Sequence, residues 1–380
     1  MSDINNVSGN RRCSFEGIEP HRKKSKVSEL LSQVIGTQEV ITSQTTNYFA
    51  KLPHEVVLCI FKYLDFQSIS KCALLCRSFW LASQDGILYQ KVCLKYSYHP
   101  KHIESYVSKI SFPKKLQIIY KHYDKGKPPD DYSHFDNQII KLLNKCGGCV
   151  VSLYVENCRS EEVSLQLSKC SNLRKLHLLR CKGSFRTLPE LHNLTNLRFC
   201  LCEVPVFIVG ELLKSNQRLR ILSLTDTTNL QTNTIADIIG NYNPQMEKLY
   251  ICEKRKVRAK GLRSIAKCPN LRVLELTGGP FHCDPEDSLQ QLAAGCTKLE
   301  KLAIYGWKSI TDENLEPILQ TCTQLKVLDL RGLNITVRSC REAALSLPFL
   351  KTLDVYKCSR IKKAQLVKLN KEFPEINITN

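Results

Sequence analysis

The sequence predicts an α/β solenoid of about nine repeats, built from short parallel strands with helices outside and preceded by a small all-α block of three helices. The first observation behind this fold class is internal repetition, because one apolar pattern recurs through residues 139–376. The second is a change of period, because residues 47–93 place their apolar side chains at helical spacing instead. Composition agrees, since 43% of the 380 residues are hydrophobic, which is enough for a sizeable core.

Charge and composition limit where the protein works. The formal net charge of +19 permits attraction to nucleic acid, to an anionic membrane or to an acidic protein. No uncharged apolar run is long enough to cross a bilayer, and the start MSDINNVSGNRRC lacks the apolar centre of a signal peptide. The 19 cysteines are too sparse over this length for a secreted disulfide scaffold. We therefore expect a protein of the nucleus and/or cytoplasm, without a membrane partner.

Residues 1–46 form a basic and polar tail, rich in Ser, Asn, Gln and Thr, that we expect to be disordered. It contains two basic clusters separated by ten residues, which resemble a bipartite nuclear import signal. The clusters consist of Arg11, Arg12, Lys23, Lys24 and Lys26. A solvated run of charge is the alternative interpretation.

The segment Leu52–Cys76 carries more apolar residues than its own interior can hold. Pro53 suits a first helical turn, and two adjacent apolar stripes follow it at a spacing of four residues. The first stripe consists of Val56, Ile60 and Leu64, and the second of Val57 and Phe61. Because so small a block has little interior, two apolar faces imply burial against something outside it. A helical cap packed on the first repeat is the alternative, and it accounts for one apolar face only.

The same segment resembles an F-box, a compact three-helix motif that binds the Skp adaptor of cullin-RING ubiquitin ligases. The resemblance is carried by Leu52-Pro53-x-Glu55, Ile60-Phe61-x-x-Leu64, Leu75-Cys76-Arg77 and the aromatic Phe79. Two aromatic positions depart from the family pattern, at Phe79-Trp80 and at Tyr89. The resemblance implies that the adaptor contacts Leu52, Pro53, Ile60, Phe61, Leu64, Leu75 and Cys76.

Residues 94–138 connect the helical block to the repeats. The stretch SFPKKLQIIYKHY has helical spacing, which favours a helical linker or a cap under the first repeat. The next stretch, DKGKPPDDYSHFD, is rich in turn residues and indicates a boundary.

The repeats share the pattern apolar-x-x-apolar-x-apolar, and their starts lie 22 to 28 residues apart, the period of leucine-rich repeats. In each repeat a short strand points alternate apolar residues inward, and a helix covers the outer side. The nine units start at Val150, Leu173, Leu197, Leu219, Met246, Leu271, Leu299, Leu325 and Leu350. The third and fifth are irregular.

Cysteines recur at two fixed positions of the repeat, which predicts internal stacks of small side chains. One set lies three residues before a unit starts and the other eight residues after. They are Cys170, Cys268, Cys296 and Cys322, and Cys158, Cys181 and Cys358. Cys146 and Cys149 are a possible redox pair or half of a zinc site, but no second CxxC or CxxH completes such a site. We expect no metal and no cofactor.

An F-box followed by repeats of this cysteine-containing kind resembles the F-box/leucine-rich-repeat family. The resemblance implies a non-catalytic substrate-recognition subunit of an SCF (Skp-cullin-F-box) E3 ubiquitin ligase. Such a subunit joins the Skp adaptor, and through it cullin and RING subunits, to a protein substrate for ubiquitylation and proteasomal degradation. The sequence contains no phosphate-binding glycine loop, nucleophile elbow or HExxH motif, so no catalytic residue is predicted.

Side chains beside and between the last two apolar positions of each unit should lie on the concave sheet surface. They are Tyr154, Lys175, His177, Leu201, Lys248, Tyr250, Glu275, Tyr305, Asp329, Arg331, Asp354 and Tyr356. Basic residues fall in the first half of this surface and acidic residues in the second. The hypothesis is a protein substrate whose acidic or phosphorylated end meets the early repeats and whose basic end meets the late ones.

A second class of function stays open at this point: a basic leucine-rich-repeat scaffold or nucleic-acid-binding protein that acts outside ubiquitylation. Such a protein clusters basic and aromatic residues on one face. Here the positive charge is spread over tail, linker and repeats, and the predicted concave surface also carries acids. This distribution disfavours a nucleic-acid partner.

Overall fold

The computed structural model describes residues 52–121, 131–227, 230–252, 257–277 and 287–379. The predicted nuclear import residues Arg11, Arg12, Lys23, Lys24 and Lys26 lie outside them, as does the predicted polar tail. Two compact units divide the chain, Met1–Pro53 and His54–Asn380. The description below concerns the second unit.

Three short helices open this unit, as the sequence predicts: α1 (His54–Phe61), α2 (Phe66–Cys72) and α3 (Arg77–Ser83). Asp65 caps α2, since its carboxylate accepts a 2.8 Å hydrogen bond from the backbone N–H of Ser68. A 3₁₀ turn at Gly86–Tyr89 then leads into the first strand.

The described strands form one parallel sheet of twelve, in which every strand pairs with its neighbours in sequence. This confirms the predicted α/β solenoid. The strands are β1 (Lys91–Lys95), β2 (Lys115–Ile119), β3 (Ser152–Glu156), β4 (Lys175–Leu179), β5 (Asn196–Cys200), β6 (Ile221–Thr225), β7 (Lys248–Cys252), β8 (Val273–Thr277), β9 (Lys301–Tyr305), β10 (Val327–Asp329), β11 (Thr352–Asp354) and β12 (Asn377–Thr379).

Helices connect the strands, with 3₁₀ turns taking part in the second and third connections and forming the fourth by themselves. The helices are α4 (Pro100–Lys109), α5 (Ser133–Cys146), α6 (Glu161–Gln166), α7 (Val206–Ser215), α8 (Thr232–Tyr242), α9 (Ala259–Ile265), α10 (Ser288–Gly295), α11 (Asp312–Thr321), α12 (Val337–Ser346) and α13 (Lys363–Glu372). None of the described helices is long and apolar enough to cross a membrane.

Alternation along each strand separates the core from a second sheet face. In β4, Leu176 and Leu178 are buried, whereas Lys175, His177 and Leu179 point the other way. The same alternation runs along the sheet, and the inward leucines and isoleucines join the helices in one continuous core. We call the surface formed by the remaining, outward strand side chains the open face.

The helical prediction for the stretch SFPKKLQIIYKHY is wrong. Residues Lys115–Ile119 of this stretch form β2, which pairs with β1 on one side and β3 on the other. Its leucine and isoleucine at 116 and 118 are buried in strand alternation, while the helix of this region is α4, further upstream. The sheet therefore begins at Lys91, before the predicted repeats.

The third repeat is shifted by three residues from its predicted start at Leu197. The buried strand residues are Leu197 and Phe199, so the pattern runs Leu194-x-x-Leu197-x-Phe199. The shift places Cys202 eight residues after the start, at the position that Cys181 holds in the second repeat.

The two predicted cysteine stacks are confirmed, because all seven of their members are buried. They connect neighbouring repeats: the Cys296 thiol donates to the Cys268 carbonyl at 3.4 Å, and the Cys322 thiol to the Cys296 carbonyl at 3.7 Å. In the fourth and fifth repeats the same position holds Asn216 and Asn243, both buried. Asparagine there makes stronger hydrogen bonds to the preceding repeat than a thiol can.

Candidate functional site

Exposed apolar side chains are concentrated in the segment of three N-terminal helices, on α1 and α3, in the loops between the helices and in the turn after them. Of the sixteen large hydrophobic residues that are exposed in the described part of the chain, eight fall between residues 56 and 87. We call these eight the apolar set: Val56, Ile60, Tyr63, Leu74, Leu75, Trp80, Leu81 and Ile87. A concentration of this kind is typical of interaction surfaces, since single exposed apolar residues are ordinary but clusters are not.

We call residues 54–89, the three N-terminal helices and the turn after them, the helical segment. A small core of buried aromatic side chains stabilises it. Phe61 is 1% exposed and its ring meets that of Phe79 edge to face, with centroids 5.3 Å apart. Tyr89 is equally buried, and its hydroxyl donates a hydrogen bond to the Ser83 carbonyl at 2.5 Å. Burial raises the pKa of Tyr89 to about 12. Its ring also contacts that of Tyr106 in α4, which joins the helical segment to the first strands.

The predicted adaptor-facing residues divide between surface and interior. Ile60 and Leu75 are 42% and 73% exposed, and both belong to the apolar set. Phe61 is a core residue and cannot contact a partner, because one residue further along α1 turns the side chain by about 100° into the interior. Leu64 and Cys76 are half-buried.

Leu52 and Pro53 belong to the first unit, where Leu52 is half-buried and Pro53 exposed. Cys76 occupies the N-cap position of α3 without a side-chain capping bond, and a 3.2 Å hydrogen bond joins its thiol to the Ser78 hydroxyl, which lowers the pKa of the thiol.

Sequence reasoning missed five exposed members of this surface. They are Tyr63, Leu74, Trp80, Leu81 and Ile87. Leu74 lies beyond the end of α2 and Trp80 on α3, so no single helical stripe includes both. The available signal was their number, since so short a segment cannot bury all of its apolar residues.

Nine of the twelve residues predicted for substrate binding lie within strands, on the open face. A central row runs from strand to strand in register, one residue from each. In order from β3 to β11 the row is Tyr154, His177, Arg198, Ser223, Tyr250, Glu275, Ala303, Asp329 and Asp354. Arg331 and Tyr356 follow the ends of β10 and β11.

Leu201 was wrongly placed on this surface. It follows β5 in the left-handed backbone region, with φ of 54°, where the chain turns out of the sheet. Asn157, Arg180 and Asp226 follow β3, β4 and β6 in the same conformation, so the turn is a feature of the repeat. The open-face residue of β5 is Arg198, which the misplaced repeat start concealed.

His177 is uncharged near neutral pH and contributes only the surface of its ring to the open face. Its ring packs edge to face on Tyr154, with centroids 5.0 Å apart. Burial, together with the positive charge of the neighbouring Arg198, lowers the pKa of His177 to about 4. The imidazole is therefore neutral at pH 7.

The acidic residues at the far end of the open face are ion-paired. The Arg331 Nε lies 2.8 Å from Oδ1 of Asp329 and 3.4 Å from Oδ2 of Asp354, and its guanidinium lies 5.0 Å from the centre of the Tyr305 ring. Hydrogen bonding to Asp329 raises the pKa of Arg331. Glu275 forms an ion pair with Lys301 on the next strand.

Within the described ranges, no group of three or more His, Cys, Asp or Glu side chains could hold a metal ion. In the Cys146 and Cys149 pair, the Cys146 thiol donates to the Leu142 carbonyl at 3.3 Å. Burial raises the pKa of Cys146 to about 11, which disfavours the thiolate that redox exchange and metal binding require.

Comparison with known proteins supports both parts of this description. Residues 49–95 match the F-box-like family. A curated protein from Bos taurus described as F-box/LRR-repeat protein 4 is 23% identical over 302 residues, which are 74% of this chain and 46% of that protein. The chain therefore spans less than half the length of this relative.

Two solved structures resemble the chain. A chain from the crystal structure of the yeast Rad7 and Elc1 complex has a TM-score of 0.53 and 13% identity, and the match covers 93% of this chain and 90% of that one. An internalin from Listeria monocytogenes has a TM-score of 0.48 and 14% identity, covering 74% of this chain and 89% of its own. At such identities the Rad7 and Elc1 match concerns the fold alone.

Proposed function

We propose that this F-box/leucine-rich-repeat protein is a non-catalytic substrate-recognition subunit of an SCF E3 ubiquitin ligase. The helical segment binds a Skp-type adaptor, and the open face of the solenoid binds a protein substrate. The observation that carries the proposal concerns the described residues: half of their exposed large hydrophobic side chains lie on the segment that matches the F-box-like family.

The composition of the apolar set suits a protein interface. Trp80 and Tyr63 are 52% and 69% exposed, and aromatic residues of this kind dominate the binding energy of protein interfaces. Leu74 and Leu75 are more exposed still, at 87% and 73%. Burying surface of this kind contributes about 25 cal/mol per Å², so a partner of matching shape gains several kcal/mol from these four residues.

The role that follows for this chain is proximity. With one end bound to the adaptor and a substrate held by the sheet, a lysine of the substrate remains near a ubiquitin-charged enzyme elsewhere in the assembly. Raising the effective concentration of reactants accelerates a reaction without any catalytic group on the scaffold. The proposal therefore assigns no acid, base or nucleophile to this protein.

The test is a binding titration of the purified full chain with a purified Skp-type adaptor. Leu75→Asp places a charge within the apolar set, and we expect affinity to fall about thirtyfold or more, as for a residue worth about 2 kcal/mol at an interface. Leu345→Asp is the matched control, since Leu345 is 69% exposed but lies on α12 of the solenoid. Equal affinities for the two variants, or no loss with Leu75→Asp, would contradict the proposal.

Folding needs a separate control. Phe61→Ala removes the centre of the small core, so the helical segment should unfold and binding should be lost together with helical circular dichroism. Leu75→Asp should lose binding while the circular dichroism stays at the wild-type value. This difference separates a surface role from a structural one.

We also propose nuclear import through the two basic clusters of the tail. Their spacing is the supporting observation. Alanine at Lys23, Lys24 and Lys26 in the full chain should shift a fluorescent fusion from nucleus to cytoplasm. An unchanged distribution would contradict the proposal.

A further inference from the structure

The open face is electrostatically uneven. We call the outward strand residues of β1–β7 the early open face and those of β8–β12 the late open face. The early open face has six basic side chains and one acidic, Glu156. The basic ones are Lys91, Lys95, Lys115, Lys175, Arg198 and Lys248. The late open face has one basic side chain and three acidic ones.

The single early acid is already neutralised. Glu156 accepts a 2.7 Å hydrogen bond from the Tyr154 hydroxyl and lies 3.7 Å from the Arg180 guanidinium. By contrast, Lys115, Lys175 and Lys248 form no ion pair with another described residue. These three lysines of the early open face therefore present positive charge that no ion pair with another described residue compensates.

The late open face does not present the opposite charge with equal strength. Arg331 follows β10 and binds both Asp329 and Asp354, and Lys301 binds Glu275. Three acids thus share two cations. The hypothesis that a basic end of the substrate meets the late repeats therefore loses most of its support. The hypothesis that an acidic end meets the early repeats is strengthened.

We propose that the early open face binds an extended acidic peptide segment of the substrate. Arg198 lies in the central row, on β5, between His177 and Ser223. Lys175 and Lys248 are the first residues of β4 and β7, the strands on either side of β5 and β6. Lys175 and Lys248 are three strands apart, or ~14 Å at ~4.8 Å per strand, and Lys115 and Lys248 are five strands apart, or ~24 Å. An extended chain covers those spans with about four and about seven residues.

The geometry favours a peptide over a nucleic acid. A polynucleotide that followed the sheet beyond β7 would meet Glu275 in the central row, and then Asp329 and Asp354. A segment of about seven residues ends before these acids. Tyr154 and Tyr250 lie in the same central row and are half-buried, and the Tyr154 ring packs on His177, which leaves little aromatic face for base stacking.

This inference deepens the proposed function, since the segment counts as substrate only if the protein is a substrate receptor. Binding itself is measured without any ligase component. The probe is a fluorescein-labelled peptide of about twelve residues that alternates glutamate with serine, titrated with the purified full chain and followed by anisotropy. The comparison probes are the glutamine counterpart, a single-stranded oligonucleotide of similar length and an anionic lipid vesicle.

The double variant Lys175→Glu/Lys248→Glu should weaken binding of the glutamate peptide about tenfold or more, because each substitution turns an attraction into a repulsion. The matched control is Lys368→Glu/Lys371→Glu on α13, which changes net charge equally at two exposed positions away from the sheet. We expect less than about a twofold loss there. Binding of the glutamate peptide should also weaken as salt rises.

Three results would overturn the inference: equal losses in the two double variants, equal binding of the glutamine peptide, or tighter binding of the oligonucleotide or vesicle at physiological salt. The two proposals fail separately. Lys175→Glu/Lys248→Glu should bind the adaptor normally, and Leu75→Asp should bind the glutamate peptide normally.

Discussion

Asn216 joins the end of α7 to residues 191–194 of the preceding repeat through one buried amide, and replacing it by alanine is the most informative stability test. The side chain is 2% exposed. Its Nδ2 donates to the carbonyls of Leu191 at 2.7 Å and Leu212 at 2.9 Å, and its Oδ1 accepts from the backbone N–H of Leu194 at 2.7 Å. Asn216→Ala removes all three hydrogen bonds without removing a large apolar volume.

The magnitude follows from which groups lose their partner. The Leu212 carbonyl still accepts from the Asn216 backbone N–H at 3.1 Å, so it stays paired. The Leu194 N–H and the Leu191 carbonyl lose the side chain that binds them, and a buried polar group without a partner costs about 1–3 kcal/mol. We therefore expect Asn216→Ala to lower the free energy of unfolding by about 3 kcal/mol or more.

The measurement is urea denaturation followed by circular dichroism, with hydrogen exchange of the Leu194 amide as a local reading. A solenoid does not always unfold in a single step, so the local measurement guards against an ambiguous global transition. Asn193→Ala is the matched control, since Asn193 is exposed and makes one hydrogen bond, to the Ser171 carbonyl. Unchanged exchange at Leu194, or equal losses in both variants, would refute the reasoning.

Two further predictions concern titratable groups. Burial lowers the pKa of His177 from 6.5 to about 4, so the folded state resists protonation. The free energy of unfolding should therefore fall by up to about 3 kcal/mol as pH falls from 6.5 to 4. Urea titrations at each pH should show that His177→Asn removes this dependence. Burial opposes the charge of Asp312, but hydrogen bonds from Ser339 and Thr336 outweigh it and lower its pKa; Asp312→Ala should cost about 2–4 kcal/mol in thermal unfolding, whereas Ala at the exposed Glu313 should change little.

Local apolar spacing was sufficient to predict the repeats. Alternation with a period of two marks a strand wherever it occurs, and nine occurrences at a common interval leave no competing fold. The cysteine stacks followed from the same regularity. The helical segment was equally accessible, since α1 and α2 keep the spacing of an amphipathic helix.

The third repeat shows where local spacing is insufficient. Between Leu194 and Cys202 the chain contains six apolar residues, and a frame that starts at Leu197 satisfies the pattern as well as the true one. Only pairing with β4 and β6 selects Leu197 and Phe199 for the core. That selection exposes Arg198, which the sequence alone could not identify as an open-face residue.

Tertiary contacts also decided the secondary structure of one segment and the accessibility of single side chains. Lys115–Ile119 becomes a strand because two neighbouring strands offer it hydrogen bonds, in spite of its helical spacing. Phe61 and Ile60 are equally apolar, yet the small core takes one and leaves the other exposed. Repetition and period are local properties that a sequence displays directly, whereas the partner of a side chain depends on segments distant in the chain, and only the folded structure brings those together.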